Sequence, residues 1–260
     1  MRNRCLPALF LVCVAHSVAL AADPVSEART FKDGNGRSIG YRLIKPAQVE
    51  QDKRYPLVVH LHGAGERGDD NEKQLAHFYA KGKALGTVDG AKQPYFAFAP
   101  QCPNDQQWVN KPWGKGSYEQ DKISDALDVA LLAMDSVIKE LPIDASRIYI
   151  TGLSMGGYGT WDAILRRPDF FAAAVPICGA GDPSKAKLIA KLPIWVWHGD
   201  ADNVVPASGS RDMVEAIAKA GGEAKYSELK NVGHNSWAAA YSSGEMWEWM
   251  FKQKREEAKK

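Results

Sequence analysis

The sequence predicts an α/β protein with a mostly parallel central sheet, helices on both of its faces and an antiparallel hairpin at the N-terminal side. Three observations predict it. Short, continuous apolar runs recur at residues 57–61, 95–99, 147–151, 172–177 and 194–197, the pattern of strands buried on both faces. Stretches with apolar residues at helical spacing lie between them, which implies βαβ units. The 260 residues, 45% hydrophobic and 25% charged, provide for a sizeable core and exclude a disordered chain.

The elements follow in chain order. Residues 1–21 open with Arg2 and Arg4, continue through an apolar run at 6–20 broken only by His16 and Ser17, and close on Ala19-Leu20-Ala21. This is the pattern of an export signal, and the run is shorter than a membrane span of ~20 residues. No later segment is long and apolar enough to cross a bilayer. The expected mature chain, 22–260, is a single domain, secreted or periplasmic, with no stable membrane insertion. Of 33 basic and 31 acidic residues, Arg2 and Arg4 account for the whole excess. A balance of 31 against 31 offers no basic surface for nucleic acid.

Residues 30–32 and 39–43 flank Asp33-Gly34-Asn35-Gly36, turn residues between β-prone runs, and predict the hairpin. The clearest helix covers about 121–139, with Ile123, Leu127, Ala130, Leu131, Met134 and Ile138 on one face. Others are expected near 73–83, 156–166, 208–220 and 245–252. The charged tail 252–260 reads as a frayed, solvated helix end. Cys178 and Pro193 are 15 positions apart, which leaves no room for a cap domain before the strand at 194–197. The longer excursion, 100–118, carries Trp108 and Trp113.

The chemistry centres on Gly152-Leu153-Ser154-Met155-Gly156-Gly157. A strand precedes it and a helical stretch follows, the setting a nucleophile elbow requires: the serine sits on a tight turn, and glycines avoid clashes with neighbouring chain. The helix start behind Ser154 favours developing negative charge. In a strand–turn–helix enzyme of this kind the acid and then the histidine follow the serine. Of the histidines after Ser154, His198 precedes any acid at the end of its own strand, which leaves His234, in a loop beside Gly233. The acid is expected after the strand at 194–197, where Asp200 and Asp202 are both suitably placed to hold the imidazole. The Met155 N–H and a backbone N–H from the glycine-rich turn 62–68, at Ala64 or Gly65, are expected to form the oxyanion hole. His60 and His62 share a strand face, but no third ligand stands nearby and no His-Glu-x-x-His motif exists. No metal or cofactor is therefore expected.

These residues carry a resemblance. His60-Leu61-His62-Gly63-Ala64-Gly65-Glu66-Arg67-Gly68, the Gly152–Gly157 motif, His198-Gly199-Asp200-Ala201-Asp202-Asn203-Val204-Val205-Pro206 and Gly233-His234 stand in the order of an α/β-hydrolase. The chain resembles the single-domain phospholipase/carboxylesterase and dienelactone-hydrolase-like families, including secreted members described as predicted peptidases or polyhydroxybutyrate-depolymerase-like esterases. The resemblance selects Asp202, because the family's acid is followed by x-x-Val-Pro. It implies an α/β-hydrolase fold and a secreted serine hydrolase that cleaves carboxylic esters through an acyl-enzyme. Loop lengths suggest an open cleft edged by Trp108, Trp113 and Trp237, suited to short-acyl or aryl esters of the acetyl or feruloyl type on a small molecule or polysaccharide. A peptidase of the prolyl-oligopeptidase type would use the same triad, but the chain is too short for a propeller and shows no clear anionic site for a substrate amino terminus. A non-catalytic binding protein retaining the fold is the other alternative.

Cys102 and Cys178 would remain after signal removal. The family's usual sheet order puts their strands three apart, roughly 14 Å at ~4.8 Å per strand, whereas a disulfide needs Cα atoms within about 7 Å. A disulfide would require the long loop after Pro100 to cross the sheet edge, so the spacing weighs against the bond without deciding it.

Overall fold

The computed structural model describes residues 25–80, 83–84 and 93–256. The expected export signal, with Cys5 and Cys13, lies outside the described residues. Eight strands form the main sheet: β1 (Val25–Lys32), β2 (Ser38–Lys45), β3 (Tyr55–Leu61), β4 (Phe96–Pro100), β5 (Ile143–Leu153), β6 (Ala173–Ile177), β7 (Ile194–Gly199) and β8 (Ala224–Leu229). Their spatial order is β1-β2-β4-β3-β5-β6-β7-β8. β1 pairs antiparallel with β2, and β2 antiparallel with β4; every other pairing is parallel. This is the α/β-hydrolase fold.

The continuous apolar runs have a direct cause. Leu57, Val59 and Leu61 of β3, with Ile148 and Ile150 of β5, point into a core shared with helices α1 (Asp125–Glu140), α2 (Met155–Arg166) and α3 (Ser208–Lys219). The intervening Val58 and Tyr149 point the other way, toward α4 (Trp237–Ser242) and α5 (Gly244–Lys252). Because side chains alternate across a strand, helices on both faces require both sets to be apolar. The hairpin closes as its turn residues predict: Asp33 Oδ1 accepts the N–H groups of Asn35 at 2.9 Å and Arg37 at 2.8 Å. Helix α1 starts at its cap, where Ser124 Oγ accepts from the Leu127 N–H at 3.1 Å.

Two expectations need correction. Among the described residues of 73–83 there is no α-helix: they hold one 3-10 turn, Lys73–Leu75, and a two-residue ladder between Tyr79–Ala80 and Lys83–Ala84. Local hydrogen bonds compete with the helix. Asp70 Oδ1 takes the N–H groups of Glu72 and Lys73, and Asn71, at φ 54°, donates to the carbonyls of Arg29 and Tyr41 in the hairpin. Phe78, wholly buried, then stacks on His60 at 4.4 Å. The second correction is an addition. β8 has no signature in the sequence because Ala-Lys-Tyr-Ser-Glu-Leu lies at a sheet edge, with no residue fully buried and Lys225 and Glu228 exposed, instead of forming an apolar run.

Between β6 and β7 there is only a 3-10 helix, Pro183–Ile189, so this connection inserts no cap domain. Cys102 and Cys178 are both free and buried, with β3 and β5 between their strands.

Candidate active site

β5 ends in Gly152-Leu153 and α2 begins at Met155, which leaves Ser154 to make the whole turn at φ 54°, ψ −119°. A non-glycine residue held there costs of order 1–3 kcal/mol and persists only when its surroundings over-determine it. They do here. The Ser154 N–H donates to the Ile177 carbonyl at 2.9 Å, and its own carbonyl accepts from the Tyr158 N–H at 3.1 Å. Glycine at 152 and 156 is a packing requirement: a Cβ on Gly156 would lie 1.8 Å from the Leu61 carbonyl oxygen, and one on Gly152 would lie 2.3 Å from that of Gly156. The elbow exists because helix, sheet and turn backbones touch without side chains between them.

The structure brings Ser154, His234 and Asp202 together. His234 Nε2 lies 2.8 Å from Ser154 Oγ, and Nδ1 lies 2.7 Å from Asp202 Oδ2. His234 enters from the loop after β8 and keeps 20% of its side chain exposed, whereas the Asp202 carboxylate is wholly covered. The other carboxylate oxygen accepts from the backbone N–H groups of Val204 at 2.8 Å and Val205 at 2.9 Å. Burial acts to raise the Asp202 carboxyl, but the hydrogen bonds from His234, Val205 and Val204 outweigh it and hold the group below its ordinary value. Asp200 faces away and accepts the Asn231 N–H at 2.7 Å, a turn contact.

His198 is a neighbour that sequence reasoning passed over. Its Nε2 lies 3.2 Å from Asp202 Oδ2 and 3.1 Å from the Val205 carbonyl, and its Nδ1 lies 2.7 Å from Ser210 Oγ. Burial lowers its pKa, so it faces the carboxylate as a neutral N–H donor. Its position four residues before Asp202, at the end of the same strand, was the available signal.

The turn expected to supply an oxyanion-hole donor is a 3-10 turn, Ala64–Glu66, entered through Gly63 in extended conformation. Among the described residues neither the Ala64 nor the Met155 N–H has a hydrogen-bond acceptor. Arg67 braces the turn, donating from Nε to the Ala64 carbonyl at 3.0 Å and from Nη1 to the Gln106 carbonyl at 3.3 Å. His62 joins this turn to the 100–118 excursion: Nδ1 faces the Gly63 carbonyl at 2.6 Å, and Nε2 accepts the Cys102 N–H at 2.9 Å.

The three tryptophans separate. Trp237 stands edge-on to His234, with ring centroids 5.4 Å apart. Trp113 is half-buried under the Arg67 guanidinium and, with Gln107, Asn110, Lys111 and Pro112, lines a cavity of about 360 Å³. Trp108 does not edge a cleft. It is 0% exposed, and its Nε1–H donates to the His62 carbonyl at 3.0 Å. The excursion turns this ring inward because it fills the space between β3 and α2, where a Cβ on Gly159 would lie 2.7 Å from the Trp108 Cβ.

Cys178, Asp202 and His234 each bring one potential metal-ligand atom to within 4.8 Å of the others. Two of them are already bonded to each other, and burial pushes the Cys178 thiol up to about 12, so near neutral pH it is a protonated, poor ligand. His60 is likewise engaged, its Nδ1 3.2 Å from the Tyr241 hydroxyl. Among the described residues no helix is long and apolar enough to cross a membrane.

Residues 76–258 match the family described as "Dienelactone hydrolase family". A thermostable esterase of known crystal structure is 40% identical with a TM-score of 0.79, over 88% of this chain and 63% of that one. The bifunctional acetylxylan esterase/xylanase XynS20E of Neocallimastix patriciarum is 35% identical over 67% of this chain and 22% of its own length. The uncharacterized peptidase YuxL of Bacillus subtilis is 24% identical over 81% of this chain and 36% of its own. The chain thus spans about a third or less of these two curated relatives.

Proposed function

The chain belongs to the dienelactone hydrolase family, and from that premise we propose that it is an exported serine carboxylesterase using Ser154, His234 and Asp202. The observation that carries this reading is the unbroken path from Ser154 Oγ through both nitrogens of His234 to Asp202. His234 Nε2 removes the Ser154 hydroxyl proton as Oγ attacks the ester carbonyl. The resulting imidazolium is held by the Asp202 carboxylate, which stays ionised. The oxyanion is received by the N–H groups of Met155 and Ala64, each such donor being worth ~3 kcal/mol in the transition state. As the tetrahedral intermediate collapses, His234 returns the proton to the departing alcohol, leaving an acyl-Ser154. Water deprotonated by the same imidazole then attacks the acyl carbon, and collapse frees the acid and restores the hydroxyl.

An uncapped site with Trp237 beside the base suits short-acyl or aryl esters, of the acetyl or feruloyl type, on small molecules or polysaccharide. The acetylxylan esterase relationship supports this substrate range. Ser154→Ala is expected to abolish hydrolysis of p-nitrophenyl acetate and labelling by a fluorophosphonate, with the fold retained by circular dichroism. Undiminished turnover would reject the mechanism. Faster cleavage of a peptide amide than of its matched ester would favour a peptidase, the reading that the relationship to YuxL keeps open.

A further inference from the structure

Between the turn Ala64–Glu66 and His234 stand groups that the acyl-transfer steps do not use. Glu66 closes the turn Ala64–Glu66, and its side chain is only 15% exposed. Its carboxylate lies against the backbone that enters the turn, with Oε2 3.0 Å from where a Cβ on Gly63 would stand. His77 Nε2 lies 3.5 Å from Oε1, too long for a hydrogen bond. Among the described residues no lysine or arginine pairs with it, and no N–H or hydroxyl donates to either oxygen. The His77 ring lies 5.4 Å from Trp237, and Trp237 lies 5.4 Å from His234. The Glu66 carboxylate, His77 imidazole, Trp237 indole and His234 thus form a series of successive neighbours.

A largely covered carboxylate with no strong partner is costly, and its charge next to the oxyanion turn opposes the negative charge that hydrolysis develops there. A positive group on the substrate would relieve both. A carboxylate beside an imidazole that itself neighbours an indole combines what an organic ammonium ion uses, charge and the ring quadrupole. We propose that Glu66, His77 and Trp237 form a subsite for an ammonium group carried by the ester substrate. This supplies the anionic site for a positively charged substrate group that was not apparent in the sequence.

The inference rests on the hydrolase reading, and one experiment separates the two. The full chain is assayed on two pairs of near-isosteric esters: acetylcholine against 3,3-dimethylbutyl acetate, and L-alanine benzyl ester against benzyl isobutyrate. The pairs place the cation on opposite sides of the scissile bond. Turnover of the neutral esters reports on the hydrolase reading; the cationic-to-neutral ratio of kcat/KM, divided by the same ratio for alkaline hydrolysis, reports on the subsite. At least one pair should favour the cation by about tenfold, or ~1.4 kcal/mol. That preference should weaken with added salt and disappear in Glu66→Gln. Tetramethylammonium ion should also inhibit neutral-ester hydrolysis by wild type more strongly than tert-butanol does, a measurement independent of any variant's folding. Neutral-ester turnover with no cation preference in either pair, a preference that survives in Glu66→Gln, or no inhibition by tetramethylammonium would each overturn the subsite.

Discussion

His62 makes the stability of this protein depend on pH in a way that can be worked out in advance. Its ring is 1% exposed and its two nitrogens have fixed roles: Nδ1–H donates to the Gly63 carbonyl, so Nε2 must accept from the Cys102 N–H. A second proton would replace that acceptor with a donor facing a donor. Burial is the main cause of a pKa lowered from 6.5 to about 4. The sign follows from linkage. Above pH 6.5 neither state holds the proton, and stability is unaffected. Between pH 6.5 and about 4 the unfolded chain binds a proton that the folded chain does not, so stability falls as pH falls. The gap of about 2.5 pH units, at ~1.4 kcal/mol each, amounts to ~3 kcal/mol by pH 4. His60 and His198 are lowered by burial too, and carboxylates titrate in the lower part of this window, so the effect of His62 must be read as a difference. Urea unfolding of wild type and His62→Gln is measured from pH 8 to pH 4; the glutamine keeps an acceptor for Cys102. The slope of unfolding free energy against pH between 6 and 4.5 should be shallower in the variant by about one proton, or ~1.4 kcal/mol per pH unit. Parallel curves would show that His62 is protonated in the folded state and would refute the argument.

Two further expectations concern the site and its walls. Asp202→Asn should lower kcat by about 10⁴-fold, because an amide cannot hold the imidazole tautomer or stabilise the imidazolium; Asp200→Asn, which keeps an acceptor for the Asn231 N–H, should leave kcat close to wild type. Equal losses in p-nitrophenyl acetate assays would show that the acid has been misassigned. Trp108→Ala should destabilise the protein by ~3–5 kcal/mol through the cavity it leaves, without changing relative rates on acetyl and feruloyl esters. A shift in that preference with stability intact would return Trp108 to the cleft.

Much of the fold was legible because strands buried on both faces cannot hide. Residues 57–59 and 148–150 are apolar at alternate positions and again in between, and a sheet sandwiched by helices asks for that. β8 was illegible for the opposite reason, being an edge strand with one partner and half-exposed side chains. The helix expected at 73–83 failed where Asp70, Asn71 and Phe78 found partners far away in sequence, which no local periodicity records.

The sequence by itself singled out Ser154 and His234 as the proposed nucleophile and base, since a glycine-flanked serine between strand and helix, followed by one suitably placed histidine, leaves little choice. These features are short-range, written in backbone sterics and chain order. Long-range packing decided the rest. Physical reasoning on the sequence left Asp200 and Asp202 level and a family resemblance chose between them; in the structure the choice appears as a carboxylate covered beneath His234 and another exposed at a turn. Trp108 and Trp113 share one loop and one residue type, and only the space between β3 and α2 made one of them core. Glu66, His77 and Trp237 lie on three separate segments, so their meeting at the rim had no signature along the chain. Backbone chemistry is local and can be read in order, but burial and charge are settled by residues that are neighbours only after folding.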